Sequence, residues 1–298
     1  MEDEEKFYVN LAAEVDRAWR KRHTENHLYA VWTRISNTVC NSITPENYPR
    51  FTISSTPQYP LIPEPEDSKV CEEYEPVKGV VLPVPSQVPD FARTLESKVE
   101  EILVDVTEIK RLDIPEHWST EEARRKAGDA IQSHLFQVYK TAMTAFIHNP
   151  TWERVYATLV VGVYFTQFYW EREDIPDLCP PVEFGYFREI PHARLSSSDL
   201  ILLDDYVKYA IKECESRSMP KILCWNEPMF VFGEPSADDP ETPSVVLTPQ
   251  FLWSMRQPLK RYPSTRYQYS WVSAPQRRPE EIDDEAIVRD FFYIHAQY

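Results

Sequence analysis

Apolar residues recur at three- and four-residue intervals in two stretches near the start of the chain, 5–22 and 24–42, and this spacing predicts two helices. In the second, Leu28, Val31, Trp32, Ile35 and Val39 mark the inward face, with Thr24 as the expected N-cap and Glu25 in the first turn. Residues 45–89 hold ten prolines and the acids Glu64, Glu66, Asp67, Glu72, Glu73 and Glu75, a pattern for an extended, irregular connection. Strand-like segments follow at Val80–Val84 and Val88–Leu95, then a polar turn at Glu96–Glu101, then the β-branched run ILVDVTEIK at Ile102–Lys110. Ser119 or Thr120 opens a long helix reaching about Ile147, with Ile131, Leu135, Val138, Ala142 and Phe146 on one side and Asn149-Pro150 as its stop. Arg154–Trp170 reads as one long buried strand. Beyond it the pattern predicts a strand at Val182–Arg188, a helix from Ser198 to about Glu215, a strand pair over Lys221–Phe232 and Val245–Leu247, and a short helix at 280–296. Helices alternating with strands imply a mixed α/β sheet. The chain reads as one elaborated domain, a split near residue 175 being the other division.

Composition narrows the function. The chain has 298 residues and 42% hydrophobic content, enough for a sizeable core. Its five glycines stand far apart, which excludes the closely spaced glycines of a dinucleotide or P-loop phosphate cradle. The five cysteines form no CxxC pair, so a cysteine zinc site has no support. The opening MEDEEK lacks the basic-then-apolar order of a secretory signal, and no apolar run is long enough for a membrane span. The expectation is an intracellular protein, nuclear or cytoplasmic and not secreted, with reduced thiols and no membrane partner. A net charge of −16 argues against a general nucleic-acid coat, but not against a local basic groove.

Candidate chemistry concentrates in Val88–Leu112. Pro89-Asp90 is followed, after a gap of hairpin length, by Glu108-Ile109-Lys110 at the end of the apolar run. A β-hairpin over this gap places Asp90 and Glu108 on neighbouring strands. Glu108 and Lys110, two apart on one strand, share a face. Two carboxylates and an ammonium at one spot suit metal-assisted hydrolysis of a phosphodiester. Hard oxygen ligands bind Mg²⁺ or Mn²⁺, the ion acidifies a bound water, and a lysine positions that water and offsets charge on the phosphate.

Pro-Asp, a hairpin-length gap and Glu-x-Lys ending an apolar strand resemble the PD-(D/E)XK nuclease superfamily. The resemblance implies a restriction-endonuclease-like α/β core (helix, three strands, helix, strand, in a mixed sheet) over about residues 24–170. Residues 171–298 would add helices and strands at the C-terminal end. It further implies that Asp90 and Glu108 are metal ligands, with the backbone carbonyl of Ile109 completing the inner set and Lys110 as the catalytic lysine. A glutamate from the first core helix would join them, Glu25 being the first choice and Glu14 the reserve. A glutamine from the helix after the Glu-x-Lys strand would do so too, Gln132 first and Gln137 second. The expected cofactor is Mg²⁺ or Mn²⁺, and the expected substrate is DNA or RNA.

Other signals are weaker. His23 and His27 lack the glutamate a zincin needs after its first histidine, where Thr24 stands. Ser196–Ser198 reads as helix capping rather than as a nucleophile. Basic residues interleaved with rings in Pro249–Pro279 (Arg256, Lys260, Arg261 and Arg266 among Trp253, Tyr262, Tyr267, Tyr269 and Trp271) suit stacking and phosphate contact. Arg124, Arg125 and Lys126, on the helix after the motif, are further candidates for nucleic-acid binding. Arg17, Arg20, Lys21 and Arg22 read as a solvated helix face. The reading from a different class is a non-enzymatic scaffold that binds a protein partner through its acidic, proline-rich and aromatic surfaces.

Overall fold

The structure is a computed structural model that describes residues 4–45, 51–61, 88–98, 101–148, 152–172, 220–236, 239–261 and 265–267. The expected elements at Val80–Val84, Val182–Arg188, 198–215 and 280–296 lie outside these residues.

Two helices, α1 (Glu4–Arg20) and α2 (Asn26–Asn41), open the chain. The N-cap of α2 is Glu25, in helical conformation with no side-chain cap bond, rather than the expected Thr24. The Thr24 hydroxyl instead donates to the Lys21 carbonyl, closing the turn that ends α1. A short strand, β1 (Ile43–Pro45), follows. The proline-dense segment also contains a true strand, β2 (Thr52–Pro57). This strand lies at a sheet edge and closes on Pro57, where a missing N–H is tolerated.

β2 pairs antiparallel with β3 (Phe91–Glu96), and β3 pairs antiparallel with β4 (Glu101–Lys110). A long helix, α3 (Glu121–His148), then crosses to β5 (Arg154–Val161), which runs parallel to β4. Thr120 caps α3 by accepting from the Ala123 N–H at 3.2 Å. From α2 the order is therefore helix, the short strand β1 outside this sheet, three sheet strands, helix, strand.

The apolar run expected as one strand is a hairpin of two. β5 turns through Gly162-Val163 into β6 (Tyr164–Glu171), with Val161 opposite Tyr164. Gly162 has φ +61°, the left-handed region that a two-residue hairpin turn requires at this position. Its N–H donates to the Lys110 carbonyl at 3.0 Å and pins the turn to the end of β4. The sheet gains a sixth strand, β7 (Lys221–Pro228), giving the order β2-β3-β4-β5-β6-β7. The chain leaves the sheet at Pro228, so the expected strand pair becomes β7 plus a separate hairpin of β8 (Phe230–Ser236) and β9 (Asp239–Leu247). α4 (Pro249–Arg256) and a 3-10 turn (Pro258–Arg261) follow, and β10 (Thr265–Tyr267) pairs with β1.

Side-chain alternation explains the layers. Glu108 lies opposite Leu159, and Leu159 opposite Thr166, so these project to one face together with Trp170. That face meets α3, whose Tyr139 ring packs edge-on against Trp170. Ile109, Val160 and Phe165 project to the other face, where Phe165 and Trp32 of α2 both pack on Phe251 of α4. A buried pair, Arg93 with Asp105, crosses between β3 and β4 at 2.9 and 2.5 Å.

Candidate active site

β3 and β4 bring the carboxylates together by register alone. Phe91 stands opposite Thr107, so Asp90, one residue earlier, falls beside Glu108 and Ile109. The Ile109 N–H donates to Asp90 Oδ2 at 2.6 Å. A strand residue directs its N–H and C=O to the same edge, so the Ile109 carbonyl also points toward Asp90. On the other side, the Tyr29 hydroxyl of α2 donates to Asp90 Oδ1 at 2.6 Å. Lys110 Nζ lies 3.7 Å from Asp90 Oδ2 and 3.5 Å from Glu108 Oε2.

Glu108 is the most enclosed member, 3% exposed against 14% for Asp90 and Lys110. Two α3 side chains hold it. Gln137 Nε2 donates to Oε2 at 2.9 Å, and the Thr141 hydroxyl donates to Oε1 at 2.9 Å. Burial pushes the Glu108 carboxyl up to about 7. Lys110 opposes that shift, the Asp90 charge adds to it, and the Thr141 hydrogen bond opposes it. The Tyr29 phenol is also pushed up, by burial first and then by its bond to Asp90. Half-buried His134, one turn before Gln137, is held below its ordinary value by burial and then by the Lys110 charge. The site thus sits at the end of the sheet between the helical layers. α2 orients Asp90, and α3 orients Glu108.

Asp90, Glu108, Ile109 and Lys110 therefore converge. Glu25 stands one turn before Tyr29, half-buried, and its charge acts on both Tyr29 and His134, which places it at the rim. Glu14 lies elsewhere, clasped by Arg34 at 2.7 and 2.9 Å. Gln132 is exposed, and Gln137 takes the position beside Glu108. At 100° per residue the two glutamines differ by about 140° around the helix, so only one can face the sheet. Tyr29, Thr141 and His134 were not singled out from the sequence. The signal for them is spacing: Tyr29 is four residues after Glu25, and His134, Gln137 and Thr141 recur at intervals of three and four.

The donor set fits a hard divalent ion. Among the described residues no group of three or more His, Cys, Asp or Glu gathers as a metal cluster. Mg²⁺ nevertheless takes one or two carboxylates and keeps several waters, and Asp90, Glu108 and the Ile109 carbonyl suffice for that. Glu108 supplies the test: burial raises this carboxyl to about 7 even with Lys110 beside it, and a divalent cation would favour its ionised form.

The basic residues expected to bind nucleic acid are differently placed. Arg124 is tied to the Asn226 carbonyl at 3.2 Å and to Glu227 at 3.5 Å. Arg125 is held between Glu122 and Asp129, and Lys126 is exposed on the same helix. The 249–279 tract does not begin as an open stacking platform, because α4 buries Phe251, Leu252 and Met255 in the core. Arg256 ends that helix, Lys260 lies 5.6 Å from the Trp253 ring centre, Arg261 closes the 3-10 turn, and Arg266 stands opposite Thr44 in β10. The rest of the tract lies outside the described residues. The free cysteines Cys40 and Cys224 are buried. No helix among the described residues is long and apolar enough to cross a membrane.

Comparison with protein-family models, curated proteins and solved structures returns no match.

Proposed function

We propose that this chain is a divalent-metal-dependent nuclease that hydrolyses phosphodiester bonds of DNA or RNA, in the manner of the PD-(D/E)XK superfamily it resembles. The observation that carries the reading is Lys110 Nζ lying within 4 Å of both Asp90 and Glu108 at the end of two adjacent strands. With the short β1 set aside because it lies outside the six-stranded sheet, the order helix, three strands, helix, strand supports it, as does the parallel pairing of β4 with β5.

Asp90, Glu108 and the Ile109 carbonyl would hold Mg²⁺ or Mn²⁺, which when bound supplies an acidified water and neutralises charge on the phosphate. Tyr29 and the Ile109 N–H fix the Asp90 carboxylate in orientation. Gln137 and Thr141 do the same for Glu108. The Lys110 ammonium orients the attacking water and offsets the negative charge that develops on the phosphoryl oxygens.

The test is cleavage of single- and double-stranded DNA and RNA with Mg²⁺ or Mn²⁺, comparing the protein with Glu108→Ala. Metal-dependent cutting by the unmodified protein alone is expected. No cutting on any substrate, with no Mn²⁺-dependent rise in Tm, would refute the reading.

A second reading, the non-enzymatic scaffold, draws on one observation. Val231 and Val246 are 57% and 49% exposed and stand opposite each other on the β8–β9 hairpin, an apolar pair open to a protein partner. It predicts a Tm indifferent to Mn²⁺.

A further inference from the structure

We infer that the α1–α2 turn, together with the segment after Lys110, is the phosphate-contacting approach to the site and receives the sugar–phosphate backbone of the nucleic-acid strand. The inference rests on the nuclease reading and adds to it where the strand runs.

Arg17 and Arg20 lie in the last turn of α1, and Lys21, Arg22 and His23 continue past its end. Cations in a last turn complement the helix dipole, which accounts for Arg17 and Arg20. Arg22 also serves the helix end, its Nη1 donating to the Trp19 carbonyl at 3.5 Å, but the dipole does not account for Lys21 beyond the helix, nor for Arg111 on a different element.

Tertiary contacts bring these residues to the catalytic end of the sheet. Arg111, directly after Lys110, donates from Nη1 to the His23 carbonyl at 3.0 Å. His23 Nδ1 lies 2.9 Å from Asp113, and Arg22 Nε lies 3.9 Å from the same oxygen. The Trp19 indole N–H donates to the Glu116 carbonyl at 3.2 Å, and its ring packs edge-on against His117 at 4.9 Å. The turn is thus fastened to residues 111–117, and α2 leaves it carrying Glu25 and Tyr29 toward Asp90.

The charge balance favours an anion. Arg20 is paired with Asp16, and Asp113 serves His23, Arg22 and, through its charge, Arg111. Arg17 and Lys21 are exposed and form no ion pair among the described residues, and Arg111 is exposed beside Asp113. Arg125, by contrast, is already neutralised by Glu122 and Asp129. On a chain of net charge −16, a local positive edge beside two carboxylates guides a polyanion to one place and repels it from the rest.

The test is fluorescence anisotropy with 20-nucleotide labelled DNA and RNA, single-stranded and duplex, in EDTA so that no metal-dependent cutting intervenes. The full-length protein is compared with Arg17→Glu/Lys21→Glu and with Arg125→Gln. The expected result for the double variant is binding weakened roughly tenfold or more near 100 mM salt. Its log–log salt slope should also be shallower by about 1.4 on single strands, two phosphate contacts at about 0.7 each. Arg125→Gln should bind as the unmodified protein does, and the Mn²⁺-induced rise in Tm should persist in the double variant, which shows its fold and carboxylates intact. Equal binding by the double variant and the unmodified protein would overturn this path while leaving the nuclease reading standing. Absence of binding to every probe by the unmodified protein would also overturn it. Failure of the site itself would appear separately, as no cleavage and no Mn²⁺ effect on Tm.

Discussion

Replacing Glu108 by glutamine removes one buried negative charge at nearly constant volume. In the folded protein this carboxyl is raised from 4.5 to about 7, chiefly by burial. At 1.36 kcal/mol per pKa unit, keeping it ionised destabilises the fold by roughly 3 kcal/mol relative to the neutral form. The sign follows from proton binding. Between 4.5 and about 7 the folded state holds the proton and the unfolded state does not. The group's contribution is therefore fully present below the unfolded value, is lost as pH rises through the window, and is flat above it. Between pH 5 and pH 8 the unmodified protein should lose about 2 to 3 kcal/mol from this group alone, and Glu108→Gln should not. Gln137 can turn its amide and the Thr141 hydroxyl can rotate, so both keep partners at residue 108. The assay is urea unfolding of both proteins at pH 5 and pH 8 in EDTA. The advantage of the variant should be larger at pH 8 by about 2 to 3 kcal/mol, other titrations cancelling in the difference. An advantage that is the same at both pH values within about 0.5 kcal/mol would show that Glu108 is not held neutral by its surroundings. Mn²⁺ at pH 8 should raise the stability of the unmodified protein and leave the variant's nearly unchanged.

Three other substitutions probe the scaffold. Thr141→Val removes a hydrogen bond that favours the ionised form of Glu108, so the fall of stability should begin at the same pH but extend to higher pH and grow larger, read from the same urea series. Gly162→Ala forces a side chain onto a residue at φ +61°, with its Cβ 2.7 Å from Leu112 Cβ. It should cost about 2 to 4 kcal/mol in chemical denaturation and loosen the turn that anchors the Lys110 carbonyl. Asp105→Asn leaves Arg93 charged inside the sheet, where both partners are 3% exposed, and should cost about 3 to 5 kcal/mol, whereas a joint Arg93→Met/Asp105→Leu replacement should cost much less.

Much of the fold was legible because the periodicity there is strong. The repeat Leu28, Val31, Trp32, Ile35, Val39 marks the buried face of α2, and β4 spans the β-branched run almost residue for residue. The start of α3 was legible to within Ser119 or Thr120, since a hydroxyl before an acidic first turn is a local signal, and the structure selects Thr120. The β5–β6 hairpin was not. Both strands are buried on two faces, so the apolar pattern runs through the turn unbroken, and Gly162 alone marks it. β2 was hidden by prolines that an edge strand tolerates at its ends.

The candidate site divides in the same way. Short-range geometry put Asp90 beside Glu108 and Lys110 on Glu108's face, because strand alternation and hairpin length are properties of the chain itself. The choice of Gln137 over Gln132, the engagement of Tyr29 with Asp90, and the fastening of the α1–α2 turn beside Arg111 depend on the rotation and docking of helices against a sheet distant in sequence. Those angles are set by packing across the whole core, a sum of many contacts with no counterpart in any local stretch of sequence. The sequence alone therefore determined which chemistry-bearing groups share a strand end. Only the tertiary structure decided which helix side chains hold them and how deeply Glu108 is buried.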